Sequence, residues 1–311
     1  MASRAGGPYA GVMISGSFGE HAAAVALLRA QPDGLSWPEI AAELLETGSA
    51  AEVWDRHAPA PALISLPDEV TPDSVAGDLQ SWQARGYRLL SILDDDYPSR
   101  LRGVQQAPPV VFTRGCVIAD DPAVSVVGSR EASAGGLAMA ADVARALTAR
   151  HMTVIAGLAR GIDTAAHRAA LDAGGRTVAV IGTGIGRVYP AENRGLQEEI
   201  ADRGLVLSQF WPDAPPQKHT FLMRNATMSG YGLATAIIEA GETSGARAQA
   251  RMAVEHGRQV ILADQVVARN EWARQLVGRP GVHTANSVDD VMDIVEQEVA
   301  MWDNLGRLVT P

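Results

Sequence analysis

The sequence predicts an α/β fold, a doubly wound parallel sheet with a small helical domain at its N-terminus. Three observations predict it. Short aliphatic runs stop at glycine in Val124-Ser-Val-Val-Gly-Ser-Arg130, Val154-Ile-Ala-Gly-Leu-Ala-Arg-Gly-Ile-Asp163 and Val178-Ala-Val-Ile-Gly-Thr-Gly184. Glycine lets a backbone turn sharply or approach another group closely. The first two runs continue into alanine-rich helical patterns. Beyond residue 124, strand and helix patterns alternate, the arrangement of parallel strands joined by crossover helices. Ligands of such sheets bind at the carboxyl ends of the strands near a switch point, so the three glycine tips are expected to converge on one site.

The N-terminal part reads as helical from His21 to His57. Ala23, Ala24, Leu27 and Leu28 share one face, and Ile40, Leu44 and Leu45 follow the start signal Ser36-Trp-Pro-Glu39. A further helix is expected from Asp73 to Arg85, ended by Gly86. These helices define a domain over residues 1–95, with the proline-rich stretch Ala58-Pro-Ala-Pro61 and the loop Asp94-Asp-Asp-Tyr-Pro98 as its punctuation. The second domain, 96–311, opens with a connecting segment containing Pro108-Pro109. Strands are expected at 124–127, 153–156, 177–181, 205–209, 234–239 and 259–263, and helices at about 135–150, 162–173, 192–203, 219–229, 244–257 and 288–300.

A chain of 311 residues, 47% hydrophobic, can bury a substantial core. The N-terminus has no apolar stretch suited to a signal peptide, and no eighteen apolar residues run together, so a cytoplasmic protein without membrane contact is expected. The single cysteine, Cys116, excludes an internal disulfide or a multi-cysteine metal site; no metal and no cofactor are expected. The formal charge of −10 argues against indiscriminate coating of nucleic acid, but it is unevenly placed. Residues 1–100 carry 14 acidic and 6 basic side chains, and the remainder 22 acidic and 20 basic, which leaves room for a local anion site beyond residue 100. The only lysine is Lys218.

Gly128, Ser129 and Arg130 follow a strand, and Ser133, Gly135 and Gly136 precede the next helix. Helix-start N–H groups, two hydroxyls and a guanidinium fork suit a phosphate. In the second run, Asp163 and His167 lie four apart and share a helix face. A helix cap and a structural histidine are the preferred reading over a catalytic dyad. Arg160 and Gly161 lie in the preceding loop, where a cation suits phosphate contact. Gly182-Thr-Gly184, with Tyr189 and Asn193 after it, offers an aromatic that either stacks on a base or packs under the loop. Arg224 and Asn225 follow Phe221, and Ser244 and Gly245 open a helix after the strand ending at Glu239. Glu239 would repel phosphate unless it holds Arg224 or a ribose hydroxyl. No GxxxxGK[ST] occurs and no GxGxxG follows the first glycine-tipped strand, which disfavours P-loop and hydride-transfer chemistry.

Taken in order, GSR-x-x-S, AGLARGID-x-x-AH, GTGI-x-x-x-YP-x-x-N, F-x-x-RN and EA-x-x-x-SG strongly resemble the DprA/Smf family of DNA-processing proteins. Asp96-Tyr-Pro-x-x-Leu101 and Pro108-Pro-Val-Val-Phe-Thr-Arg-Gly115 belong to the same pattern, and the likeness covers about residues 90–265. The resemblance implies a Rossmann-like homodimer that binds single-stranded DNA and assists a RecA-type recombinase in natural transformation, without catalysis. By the resemblance, Arg130 and Arg160 match the positions that would grip the DNA backbone, Gly128, Ser129, Ser133 and Gly161 shape the pocket, and Asn193, Arg224 and Asn225 match motif positions; with Gly157, Gly182, Gly184, Ser244 and Gly245 from the glycine turns and helix starts, they form the expected phosphate- or nucleic-acid-binding set.

The departures lie in the last third. Ala226 stands where the family usually has a second arginine, Ser244-Gly-Ala-Arg-Ala-Gln-Ala250 replaces SGS-x-x-TA, and Ala263-Asp-Gln-Val266 replaces a proline-glycine. With the sequence ending at Pro311, the winged helix of some members is not expected. The rival reading is a sensor or enzyme for a nucleotide-derived small molecule, including one that works in phage defence beside a genetically linked effector. A dimeric scaffold, joined through residues 233–238 or the helix at 288–300, is a third.

Overall fold

The computed structural model describes residues 15–57 and 70–309. The proline-rich stretch at 58–61 therefore lies outside the described residues. Four helices lead: α1 (Ser15–Ala30), α2 (Trp37–Thr47), α3 (Ala50–His57) and α4 (Pro72–Ala84). Ser36 and Glu39 start α2 with a capping box, the Ser36 N–H donating to Glu39 Oε2 at 2.8 Å. Gly48 then ends α2 in the left-handed conformation. Every residue from Ala22 to Leu28 is buried, because α2, α3, α4 and the first strand surround α1. The stripe read from the sequence is thus one side of an enclosed helix.

The sheet begins at β1 (Arg88–Ser91), followed by the short α5 (Ser99–Arg102) and β2 (Val110–Gly115). The alternating part comprises β3 (Ala123–Gly128), α6 (Ala134–Ala149), β4 (Thr153–Ala156), α7 (Ile162–Asp172), β5 (Thr177–Val180), α8 (Arg194–Arg203), β6 (Leu205–Ser208), α9 (Lys218–Tyr231), β7 (Ala234–Glu239), α10 (Gly245–Glu255) and β8 (Gln259–Ala263). The turns α11 (Asp264–Arg269) and α12 (Glu271–Arg274), then β9 (Val282–Ala285) and α13 (Val288–Val309), follow. The expected strands and helices from β3 to β8 are present within a few residues of their expected ends, while α13 starts where expected and runs nine residues beyond the expected end at 300.

The nine strands form one sheet in the order β1-β2-β6-β5-β4-β3-β7-β8-β9. β6 through β9 in this order are parallel, and β1 and β2 are added antiparallel at one edge. From β3 the chain winds outwards through β4, β5 and β6, then returns to place β7 on the other side of β3. The switch point therefore lies between the carboxyl ends of β3 and β7, at Gly128 and Glu239.

One face of the sheet packs Val124, Val126, Ala234 and Ala236 against α6, α7 and α13. Beneath the opposite, amino-terminal ends of the strands, buried Asp121 accepts from Arg176 Nε at 3.0 Å and from the Tyr231 hydroxyl at 2.9 Å. A buried carboxylate is tolerable because it is paired and hydrogen-bonded in this way. No helix among the described residues is long and apolar enough to cross a membrane.

Candidate nucleic-acid interface

The glycine tips do converge, and what they approach is the chain itself. A Cβ on Gly128 would meet the Glu239 carbonyl and the Ile162 side chain; on Gly161, the Ser129 carbonyl; on Gly182, the Phe221 ring; on Gly184, the Trp211 and Pro212 carbonyls. The expected closeness to a ligand is thus closeness to neighbouring backbone and side chains. These contacts lock the three tips into one rigid rim.

Arg224 lies within this rim, 6% exposed, and not on its surface. Its Nη1 donates to the Gly157 carbonyl at 2.8 Å and to the Val180 carbonyl at 2.7 Å, tying the ends of β4 and β5 together. The guanidinium fills the space a side chain at position 157 would need. Burial draws its pKa down, opposed by the neighbouring Asp163 carboxylate. Burial raises Asp163 in turn, opposed first by Arg224.

Asp163 sits one residue inside α7 and accepts from the Gly157 N–H at 2.9 Å and the Ala159 N–H at 3.3 Å. It therefore closes the loop before the helix; the cap position itself belongs to Gly161. Asn193 fastens the same loop, its Nδ2 donating to the Leu158 carbonyl at 2.9 Å and to Thr164 Oγ1 at 3.0 Å. Leu158 is held at φ +58°, a conformation unusual for a residue with a Cβ.

His167 is fully buried, and its pKa is pushed down to about 3 by burial and then by the charge of Arg224. The Thr177 hydroxyl donates to the Val154 carbonyl at 2.7 Å, so its oxygen accepts the Nδ1–H of His167, also at 2.7 Å. The ring is neutral with an unprotonated Nε2. Asp163 is engaged by loop amides and His167 by Thr177, so the two act as structural groups and form no dyad.

The exposed part of the rim has a different character. Arg130 is exposed, with its Cζ 5.6 Å from the centroid of the Phe221 ring. Tyr189, 42% exposed, also packs on Phe221, its ring centroid 5.5 Å from that of Phe221. Arg160 is exposed and makes only a loose 3.7 Å pair with Glu192. Lys218 is exposed one turn before Phe221 on α9. Thr220 fixes that turn by donating to the Gly182 carbonyl at 2.6 Å.

Ser129 borders Arg130 and accepts the Glu131 N–H at 3.1 Å. Ser133 caps α6, Ser244 caps α10, and Gly245 accepts weakly from buried Asn225 at 3.4 Å. Ala226, at the position of the family's second arginine, is buried in α9. Of the expected contact residues, Ser129, Arg130 and Arg160 face the rim, whereas Gly157, Gly182, Gly184, Asn193, Arg224 and Asn225 build its underside. Phe221 and Lys218 were not among them. The signal for both was their place one turn apart at the start of a helix entering the rim.

Comparison with known proteins agrees with this architecture. The model of the family described as DNA recombination-mediator protein A matches residues 88–297, from β1 into α13. The DNA processing protein DprA of Streptococcus pneumoniae is 42% identical over 172 residues, 55% of this chain and 61% of that protein. Protein Smf of Escherichia coli is 32% identical over 190 residues, 60% of this chain and 51% of that protein. The matched part thus spans between half and about three fifths of these relatives. The X-ray structure of Streptococcus pneumoniae DprA superposes with a TM-score of 0.66 at 30% identity, covering 86% of this chain and 96% of that one. DprA of Helicobacter pylori, whose structure concerns a single-stranded DNA binding mode, shares the fold with a TM-score of 0.60 at 21% identity, covering 68% and 96%. A family model that matches two thirds of the chain means that this chain belongs to the DNA recombination-mediator protein A family, the DprA/Smf proteins.

Proposed function

We propose that the chain binds single-stranded DNA across the exposed rim of the strand ends, without catalysing a reaction on it. The observation that carries this reading is the Arg130 guanidinium lying over Phe221, with Tyr189 beside it. Cations that meet phosphates, next to aromatic faces on which bases stack, are what sequence-tolerant binding of a single strand requires. Arg130, Arg160 and Lys218 supply the charge, and Phe221 with Tyr189 supplies the stacking surface. Family membership and the strand-binding Helicobacter pylori neighbour support the same reading.

A compact nucleotide as substrate has less support. The crevice beneath the rim is filled by Arg224, Asn193 and Asp163, each engaged by the chain's own backbone. Pairing into a homodimer and delivery of the bound strand to a RecA-type recombinase belong to the same proposal, as does service beside a genetically linked effector.

The test is the salt dependence of binding to a labelled oligonucleotide. Three phosphate contacts on a single strand predict a slope of log K against log salt of about −2, and Arg130→Ala is expected to flatten it by about 0.7. A slope near zero would rule out the phosphate contacts.

A further inference from the structure

The switch point between β3 and β7 is where doubly wound sheets most often receive a ligand phosphate, through the N–H groups that start the next helix. Here that place is taken. Glu239, the last residue of β7, turns its carboxylate onto the start of α6: Oε1 accepts the Ser133 N–H at 3.0 Å and Oε2 accepts the Ser133 hydroxyl at 2.5 Å. Ser133 Oγ in turn accepts the Gly136 N–H at 3.1 Å. The carboxylate also occupies the space that a Cβ on Gly136 would need. Glu239 is itself fixed, because its carbonyl accepts the Ser129 N–H at 2.7 Å across the β3–β7 edge. The first turn of α6 has no acidic residue of its own, so Glu239 supplies the negative charge that a helix start favours.

We propose that Glu239 is a specificity-determining residue: its carboxylate stands in for a phosphate and bars compact phosphate ligands from the switch point. Phosphates are then left to the side-chain cations of the rim. Those cations come from three separate segments, the β3–α6 loop, the β4–α7 loop and the start of α9. An extended strand can engage several of them at once. A free phosphate or a mononucleotide, denied the α6 amides, has only these side chains to meet. The carboxylate also excludes a second occupant of like charge by direct repulsion.

The experiment is calorimetric titration of the full chain, native, Glu239→Ala and Glu239→Gln, with inorganic phosphate and with AMP, alongside anisotropy titration with a single-stranded oligonucleotide. Glu239→Ala empties the place and frees the Ser133 N–H and hydroxyl. Phosphate and AMP are expected to bind it at least about tenfold more tightly than they bind the native chain. Glu239→Gln keeps an oxygen for the Ser133 N–H and guards against an unfolded alanine variant. Its neutral amide can swing aside, so it too is expected to gain phosphate affinity, by less. Native chain that takes phosphate as tightly as either variant would overturn the proposal, as would a folded variant with no gain. The strand titration tests the proposed function separately. Native chain that ignores the oligonucleotide would sink that reading, while the phosphate comparison would still decide the role of Glu239.

Discussion

Arg224 has three polar contacts and a buried opposite charge, so its loss leaves the Gly157 and Val180 carbonyls without donors and Asp163 without its counter-charge. Removing one member of a buried charged group costs about 3–5 kcal/mol, and Arg224→Ala is expected to lose that much in urea unfolding. A loss below 1 kcal/mol, on the order of an exposed ion pair, would contradict the buried role. His167 predicts a pH effect. Its folded pKa of about 3 lies below the unfolded value of 6.5, so the unfolded chain binds more protons between the two. The stability it supports is complete above pH 6.5 and falls as pH drops through that window, by about 1.4 kcal/mol per pH unit for one proton. Thermal unfolding from pH 7 to 4 should show this decline, and His167→Gln should flatten it. The motif spacing identified Arg224, Asn193 and Asn225 but not their depth. An arginine beside glycine turns reads as a phosphate ligand until the structure shows it donating to the strand ends themselves.

At the scale of elements, the site depends on how closely adjacent strand ends approach. Gly161 has φ +75°, and the Ser129 carbonyl occupies the space above its Cα. Gly161→Ala is therefore expected to cost more than about 1 kcal/mol, through both backbone strain and the forced separation of the β3 and β4 loops. A stability change within error would show that the loops are not locked. The six parallel strands from β3 to β8 were legible because each is a largely buried, mostly aliphatic run with a turn signal after it. β1, β2 and β9 were not. β1 and β9 are four-residue edge strands with partly polar faces, and β2 read only as a motif because a proline pair precedes it. β2 also pairs with β6, some ninety residues further along the chain, and no local period reports that. The role of Glu239 was open for the same reason, since it depends on β7 lying beside β3.

In the whole molecule, the N-terminal helices brace the loop that leads into the rim. Trp82 stacks on Trp211 at 6.0 Å, Trp37 meets Trp211 edge-on at 5.7 Å, and Arg85 holds Asp213 through two hydrogen bonds of 2.9 Å. The segment from Trp211 to Gln217 connects this cluster to α9, and so to Phe221. Apolar burial provides most of the hold, because the Arg85–Asp213 pair is largely exposed. The charge division seen in the sequence follows the same division of labour, with the acidic residues concentrated in the N-terminal part and exposed cations on the rim. The central claim is that this rim holds a single strand by stacking and charge together. Its most direct test is fluorescence anisotropy of a labelled single-stranded oligonucleotide, with duplex as control, at low and near-physiological salt, for the native chain, Arg130→Ala and Phe221→Ala. The account predicts preference for the single strand, weakening with salt, and a loss of about 1–3 kcal/mol in Phe221→Ala that persists at higher salt. Equal affinity for duplex, or unchanged binding in both variants, would contradict it.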